Sequence, residues 1–103
     1  MRIADVRTLH ADGGWRTISY LRLETEDGLV GWAEYSEATW SPGLTGVIEA
    51  LAPHVAGRDP RAFAAVSSDL RALVRMSPGG LASQAIAAIE NACIDLAGKA
   101  AGV

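Results

Sequence analysis

Along the first third of the chain the apolar residues tend to alternate. Along the remainder they recur every three or four positions. Residues 16–25 give the cleanest alternation: Leu21, Leu23 and Thr25 fall on one face, Ile18, Tyr20 and Arg22 on the other. Residues 2–10 carry Ile3, Val6 and Leu9 without clean alternation, which predicts a bulged or edge strand. Ala11-Asp12-Gly13-Gly14 reads as a turn or short loop. Asp27-Gly28 marks a tight hairpin, because glycine reaches positive φ without steric cost. Residues 29–34 return from it. The prediction is a three-stranded antiparallel meander, with strands at about 2–10, 16–25 and 29–34.

The helical period then takes over, predicting helices at about 42–56, 60–76 and 81–100. Ser41-Pro42 reads as an N-cap followed by proline in the first helical position, where the missing N–H costs nothing. Leu44, Val47, Ile48, Leu51 and Val55 form the first stripe. Pro53 disturbs its last turn and Gly57 closes it. Asp59-Pro60 repeats the cap-plus-proline signal ahead of Phe63, Val66, Leu70, Leu73 and Val74, and Ser77-Pro78-Gly79-Gly80 breaks that run. On the third helix Ile86, Ile89, Cys93, Leu96, Ala97 and Ala100 share a face, with Gln84, Asn91, Asp95 and Lys99 opposite. Asp95 and Lys99 are spaced i, i+4 in the favourable order. Glu90 falls among the apolar positions, where it must find a hydrogen-bonding partner or stay at the rim, and it reads as a polar anchor toward a neighbouring domain. A meander followed by three helices is an α+β arrangement. Its helices cover one sheet face; the other, with Ile18 and Tyr20, is left for a partner.

Composition narrows the function classes. The chain has 103 residues, half of them hydrophobic, with a formal net charge of −3 and one cysteine. The basic residues are scattered, which argues against nucleic acid as a partner. Apolar runs are too short to span a bilayer. No signal-peptide core opens the chain, and a lone thiol forms no internal disulfide, so a cytoplasmic location is expected. A cysteine-rich zinc site is excluded, and His10 and His54 lack ligand spacing.

The candidate chemistry lies in residues 28–43, GLVGWAEYSEATWSPG. The strand pattern stops after Glu34, and Tyr35, Glu37 and Trp40 follow with no period at all. Two placements are open to Tyr35 and Trp40: lining a substrate pocket, or packing over the domain's own helices. Glu37 either binds a substrate hydroxyl or is solvated. Trp15, beside Gly13-Gly14, sits on a mobile lid or a plain hairpin tip. Trp32 lies in a strand, in a core or an interface. Cys93 reads as a small buried apolar residue.

In order and separation, "MRIADVRTLHA", "YLRLETEDGLVGWAE", "VIEALAPHVAGRDP" and "AIAAIENACIDLAGKAAGV" resemble the N-terminal capping domain of the enolase superfamily, in its mandelate racemase and muconate lactonizing enzyme branch. The resemblance covers essentially the whole chain. It implies an α+β domain set over the mouth of a C-terminal barrel domain. That barrel supplies carboxylates for magnesium and a base that removes the proton α to the substrate's carboxylate. It also implies that two loops, here about 10–16 and 35–44, close the mouth over a carboxylate-bearing small molecule, with Trp15, Tyr35, Glu37 and Trp40 as substrate-binding residues. The implied activity is that of a lyase or isomerase, an acid-sugar dehydratase or a racemase/cycloisomerase.

The catalytic barrel is not among these residues. Asp5, Glu24, Glu26, Glu34 and Asp95 form no recognisable ligand cluster, so no residue carries over as catalytic or metal-binding. The chain by itself is expected to be inactive, with no cofactor of its own. The alternative class is a stand-alone interaction module, a homo-oligomer formed through the free sheet face or the third helix.

Overall fold

The computed structural model describes all residues, 1–103. Strands β1 (Ile3–Asp12), β2 (Thr17–Thr25) and β3 (Val30–Tyr35) form one antiparallel sheet in the order β1-β2-β3. Helices α1 (Leu44–Val55), α2 (Phe63–Leu73) and α3 (Gly80–Ala100) follow, with a 3-10 turn at Pro60–Ala62 ahead of α2. This is the α+β arrangement expected from the sequence. The uneven pattern of β1 has a physical source: its register with β2 shifts between Ile3 and Asp5. Beyond the bulge Val6 pairs with Leu23, Thr8 with Leu21 and His10 with Ser19, which puts these side chains on the helix-covered face.

The core lies between that face and the helices. Leu21 and Leu23 meet Ile48, Leu51 and Val55 of α1, Val66 and Leu70 of α2, and Ile86, Ile89, Cys93 and Leu96 of α3, all buried. The side of α3 that carries Ala85, Ala88 and Ala92 is buried as well. The small side chains allow a close approach: a Cβ on Gly31 of β3 would lie 2.5 Å from Leu96 Cγ and 2.6 Å from the Ala92 carbonyl oxygen.

The polar end of α3 is used at the sheet edge. Asp95 Oδ2 accepts from the Trp32 backbone N–H at 2.9 Å, and Lys99 Nζ donates to the Val30 carbonyl at 2.6 Å. These two main-chain groups face outward on edge strand β3, so the Asp95–Lys99 ion pair (3.0 Å) closes an edge that could otherwise recruit another strand. Glu90 also finds a partner inside the domain, accepting from Ser67 Oγ of α2.

Three expectations are corrected. Helix α1 starts at Leu44, and Ser41 does not cap it; the N-cap is Gly43 at φ 86°, which has no side chain to offer. Leu73 is 48% exposed, because α2 ends there, at the rim of the core. Ala100 at the end of α3 is exposed, since the helix runs past the edge of the sheet.

Candidate functional site

Two loops leave the same end of the sheet. The shorter, between β1 and β2, carries Trp15. Its turn is closed by Gly13 N–H donating to the Arg16 carbonyl (2.8 Å) and Gly14 N–H donating to Asp12 Oδ1 (2.8 Å), with Gly14 at φ 92°. Arg16 stacks over the Trp15 indole at 5.1 Å and pairs with Glu34 of β3 at 3.3 Å. The longer loop, 36–43, joins β3 to α1 and carries Glu37 and Trp40. Trp15, Arg16, Thr17, Glu37, Thr39 and Trp40 line a cleft of about 520 Å³ between the loops.

The two indoles are 86% and 79% exposed, far more than an aromatic side chain usually is without a partner. One cation, a carboxylate and several hydroxyls lie between them. Such a cleft can stack the C–H face of a small polar molecule and hydrogen-bond its hydroxyl or carboxylate groups.

Tyr35 sits elsewhere, and the expectation of a ring facing a substrate is corrected. It is the last residue of β3, 7% exposed, and belongs to the hydrophobic core. The strand alternation carries through it: Gly31, Ala33 and Tyr35 all point inward. Its ring meets His10 edge-on at 6.4 Å, and its hydroxyl meets Thr45 Oγ1 at 2.8 Å. Burial raises the phenol above its ordinary pKa, with the Thr45 hydrogen bond opposing that shift.

Glu37 reaches the cleft but is already engaged. Oε2 accepts from the Thr45 backbone N–H at 2.8 Å and Oε1 from Thr45 Oγ1 at 3.2 Å. Ser41, misread as a cap, is buried and pins the loop: its Oγ donates to the Ser36 carbonyl (2.9 Å) and accepts from Ala38 N–H (3.2 Å). Sequence reasoning missed Thr45, Ser41 in this role and Arg16. Thr45 and Arg16 carry no local signal for these roles, because their partners Tyr35, Glu37 and Glu34 lie on other elements, and the Ser41-Pro42 signal points to a cap instead.

A second apolar concavity lies on the uncovered sheet face. There Leu9, Tyr20 and Trp32 gather, with Tyr20 and Trp32 edge-to-face at 6.2 Å and the Arg22 guanidinium 5.9 Å from the Trp32 ring. Nowhere do three carboxylate, imidazole or thiol groups converge. This chain's own residues thus gather no donor set for a metal ion, and the magnesium that the resemblance implies belongs to the barrel. No helix is long and apolar enough to cross a membrane.

Comparison with known proteins agrees with this architecture. Residues 9–103 match the family model described as mandelate racemase / muconate lactonizing enzyme, N-terminal domain. The chain is 31% identical over its full length to a D-galactonate dehydratase of Xanthomonas axonopodis pv. citri, of which it covers 26%. It superposes with a TM-score of 0.94 and 37% identity on a protein of Burkholderia xenovorans provisionally named an L-alanine-DL-glutamate epimerase, over 98% of this chain and 26% of that one. A mandelate racemase/muconate lactonizing protein of Paracoccus denitrificans, complexed with magnesium, gives 0.85 and 35%, over 98% and 28%. The chain thus spans about a quarter of the length of these relatives. By fold and by sequence it belongs to the mandelate racemase/muconate lactonizing enzyme family, as an N-terminal domain of that family.

Proposed function

We propose that this chain is the substrate-specificity and active-site-capping domain of a magnesium-dependent enzyme of the enolase superfamily, working with a C-terminal barrel domain in the cytoplasm. The reaction is proton abstraction α to a carboxylate, in an acid-sugar dehydratase or a racemase/cycloisomerase. The observation that carries the reading is the pair of exposed indoles, Trp15 and Trp40, on two loops that share one cleft. The family match and the dehydratase and epimerase names of its relatives supply the reaction class.

The chain's part is to wall off the reacting centre. A closed cover excludes water, strengthens the electrostatics beneath it and orients the distal part of the substrate. Trp15, Arg16, Glu37 and Trp40 are the residues on hand for that contact, and Tyr35 supports them from below. The 103-residue chain alone is expected to give no solvent-proton exchange α to the carboxylate of α-hydroxy acids in the presence of magnesium; clear exchange contradicts the reading. Joined to a catalytic barrel, Trp15→Ala and Trp40→Ala should alter kcat/KM ratios between substrates while leaving the melting temperature in place.

One observation favours a second reading, self-association through the open sheet face: the exposed cluster of Leu9, Tyr20 and Trp32. Light scattering of the chain and of Trp32→Lys decides it, since a dimer that the substitution dissolves supports that reading and a wild-type monomer removes it.

A further inference from the structure

We propose that Glu37 is the positioning residue of the cleft: by capping α1 from the far side of its own loop, it fixes the Trp40 wall. The inference rests on the capping function proposed above.

The argument starts at the α1 N-terminus, whose first backbone N–H groups have no partner within the helix. Gly43 cannot serve them, and Pro42 before it has no side-chain acceptor. Glu37 takes over, accepting from both the backbone N–H and the hydroxyl of Thr45. Its negative charge also lies at the favourable end of the helix. Thr45 Oγ1 in turn meets the hydroxyl of buried Tyr35. One carboxylate thus ties together the two ends of loop 36–43, the last residue of β3 and the first turn of α1.

Ser41 closes the same loop from within through Ser36 and Ala38, and its backbone N–H donates to the Ala38 carbonyl at 2.9 Å. Trp40 therefore projects into solvent from a backbone bonded on either side. The Trp15 hairpin has no comparable tie. Its bonds are internal to the turn except for the Arg16–Glu34 pair, and both partners of that pair are well exposed, which leaves little net restraint.

Both Glu37 oxygens already accept from Thr45, so the helix cap sets the orientation of the carboxylate. That favours a positioning role.

Amide hydrogen exchange and heteronuclear NOE on the isotopically labelled chain test this, with the three indole signals assigned by Trp→Phe variants. In the wild type the Trp40 backbone should be more ordered than that of Trp15. Glu37→Ala should speed exchange at Thr45 by roughly tenfold and loosen Ser41 and Trp40, with Leu21 and Ile89 unchanged. Glu37→Gln should restore order, because its carbonyl accepts from the Thr45 N–H and its amide donates to Thr45 Oγ1. The proposal is overturned by equal mobility of Trp15 and Trp40 in the wild type, a comparison that needs no variant. It is also overturned if Glu37→Ala leaves the loop unaltered, or if Glu37→Gln loosens it as much as alanine does. No substrate enters the measurement, so failure of the capping function in a barrel-linked protein would leave these outcomes standing.

Discussion

Gly31→Ala tests the packing on which the rest of the domain depends. Ordinary van der Waals contact to a Cβ begins at 3.4 Å; here the added methyl would sit 2.5 Å from Leu96 Cγ and 2.6 Å from the Ala92 carbonyl oxygen. Leu96 is fully buried and Ala92 O is helix backbone, so neither can swing away. Helix and strand must separate by roughly 1 Å. A shift of that size carries the Asp95–Trp32 bond at 2.9 Å out of hydrogen-bonding range. Overpacking costs about 1–3 kcal/mol, and a lost hydrogen bond adds about 1. Replacing glycine in a strand returns about 0.5–1. The net loss is about 1–3.5 kcal/mol, and in a domain of this size each kcal/mol lowers Tm by about 4–8 °C. Urea unfolding followed by circular dichroism reads it as a lower midpoint at unchanged slope. Combining Gly31→Ala with Leu96→Ala should cost less than the sum of the two, since each relieves the other's misfit, yet the Ala92 carbonyl keeps the rescue partial. A Gly31→Ala midpoint equal to wild type would refute the close approach and, with it, the helix–strand geometry drawn here.

The aromatic residues of the 35–40 stretch should separate by burial: Tyr35→Ala costs about 3–5 kcal/mol in the same unfolding assay, whereas Trp40→Ala stays within about 0.5. Equal effects would contradict the placement of the two rings. The Asp95 carboxyl is held below its ordinary value, chiefly by the Trp32 N–H and then by Lys99. Its contribution is therefore present above the unfolded-state pKa near 3.8 and lost as pH falls through the lower folded value. Asp95→Asn should flatten that part of the stability–pH curve, and an unchanged curve would remove Asp95 as a source of it. Burial pushes the Cys93 thiol up to about 12, with Glu90 adding to the shift. A thiol-specific reagent at pH 8 should therefore label Cys93 at the rate of unfolding; immediate labelling of the native chain would place it at the surface.

The glycine, proline and aspartate punctuation and the change of hydrophobic period were enough to order three strands and three helices. These are local properties: a strand alternates because one face is wet, and a helix stripe recurs because one side is buried. Asp59-Pro60 worked in the same way, and Asp59 Oδ1 accepts from the Arg61 N–H at 3.0 Å, though the element it caps is a 3-10 turn. Ser41-Pro42 carries the same local signal and means something else, because the Ser41 hydroxyl is spent inside its own loop.

Tyr35 marks the boundary between the two levels. Its position after Glu34 looked irregular, yet β3 runs one residue further and turns the ring inward. Whether a strand extends by one residue depends on what covers it, here His10 from β1 and Thr45 from α1, both distant in sequence. The sequence by itself determined which residues are apolar, where the chain turns and which family's pattern it follows. Only the tertiary structure decided that Glu37 caps a helix, that Asp95 and Lys99 close a sheet edge, and that Trp15 and Trp40 face one cleft. Each of those is a pairing between separate elements, and no periodicity along a single chain encodes which elements will meet.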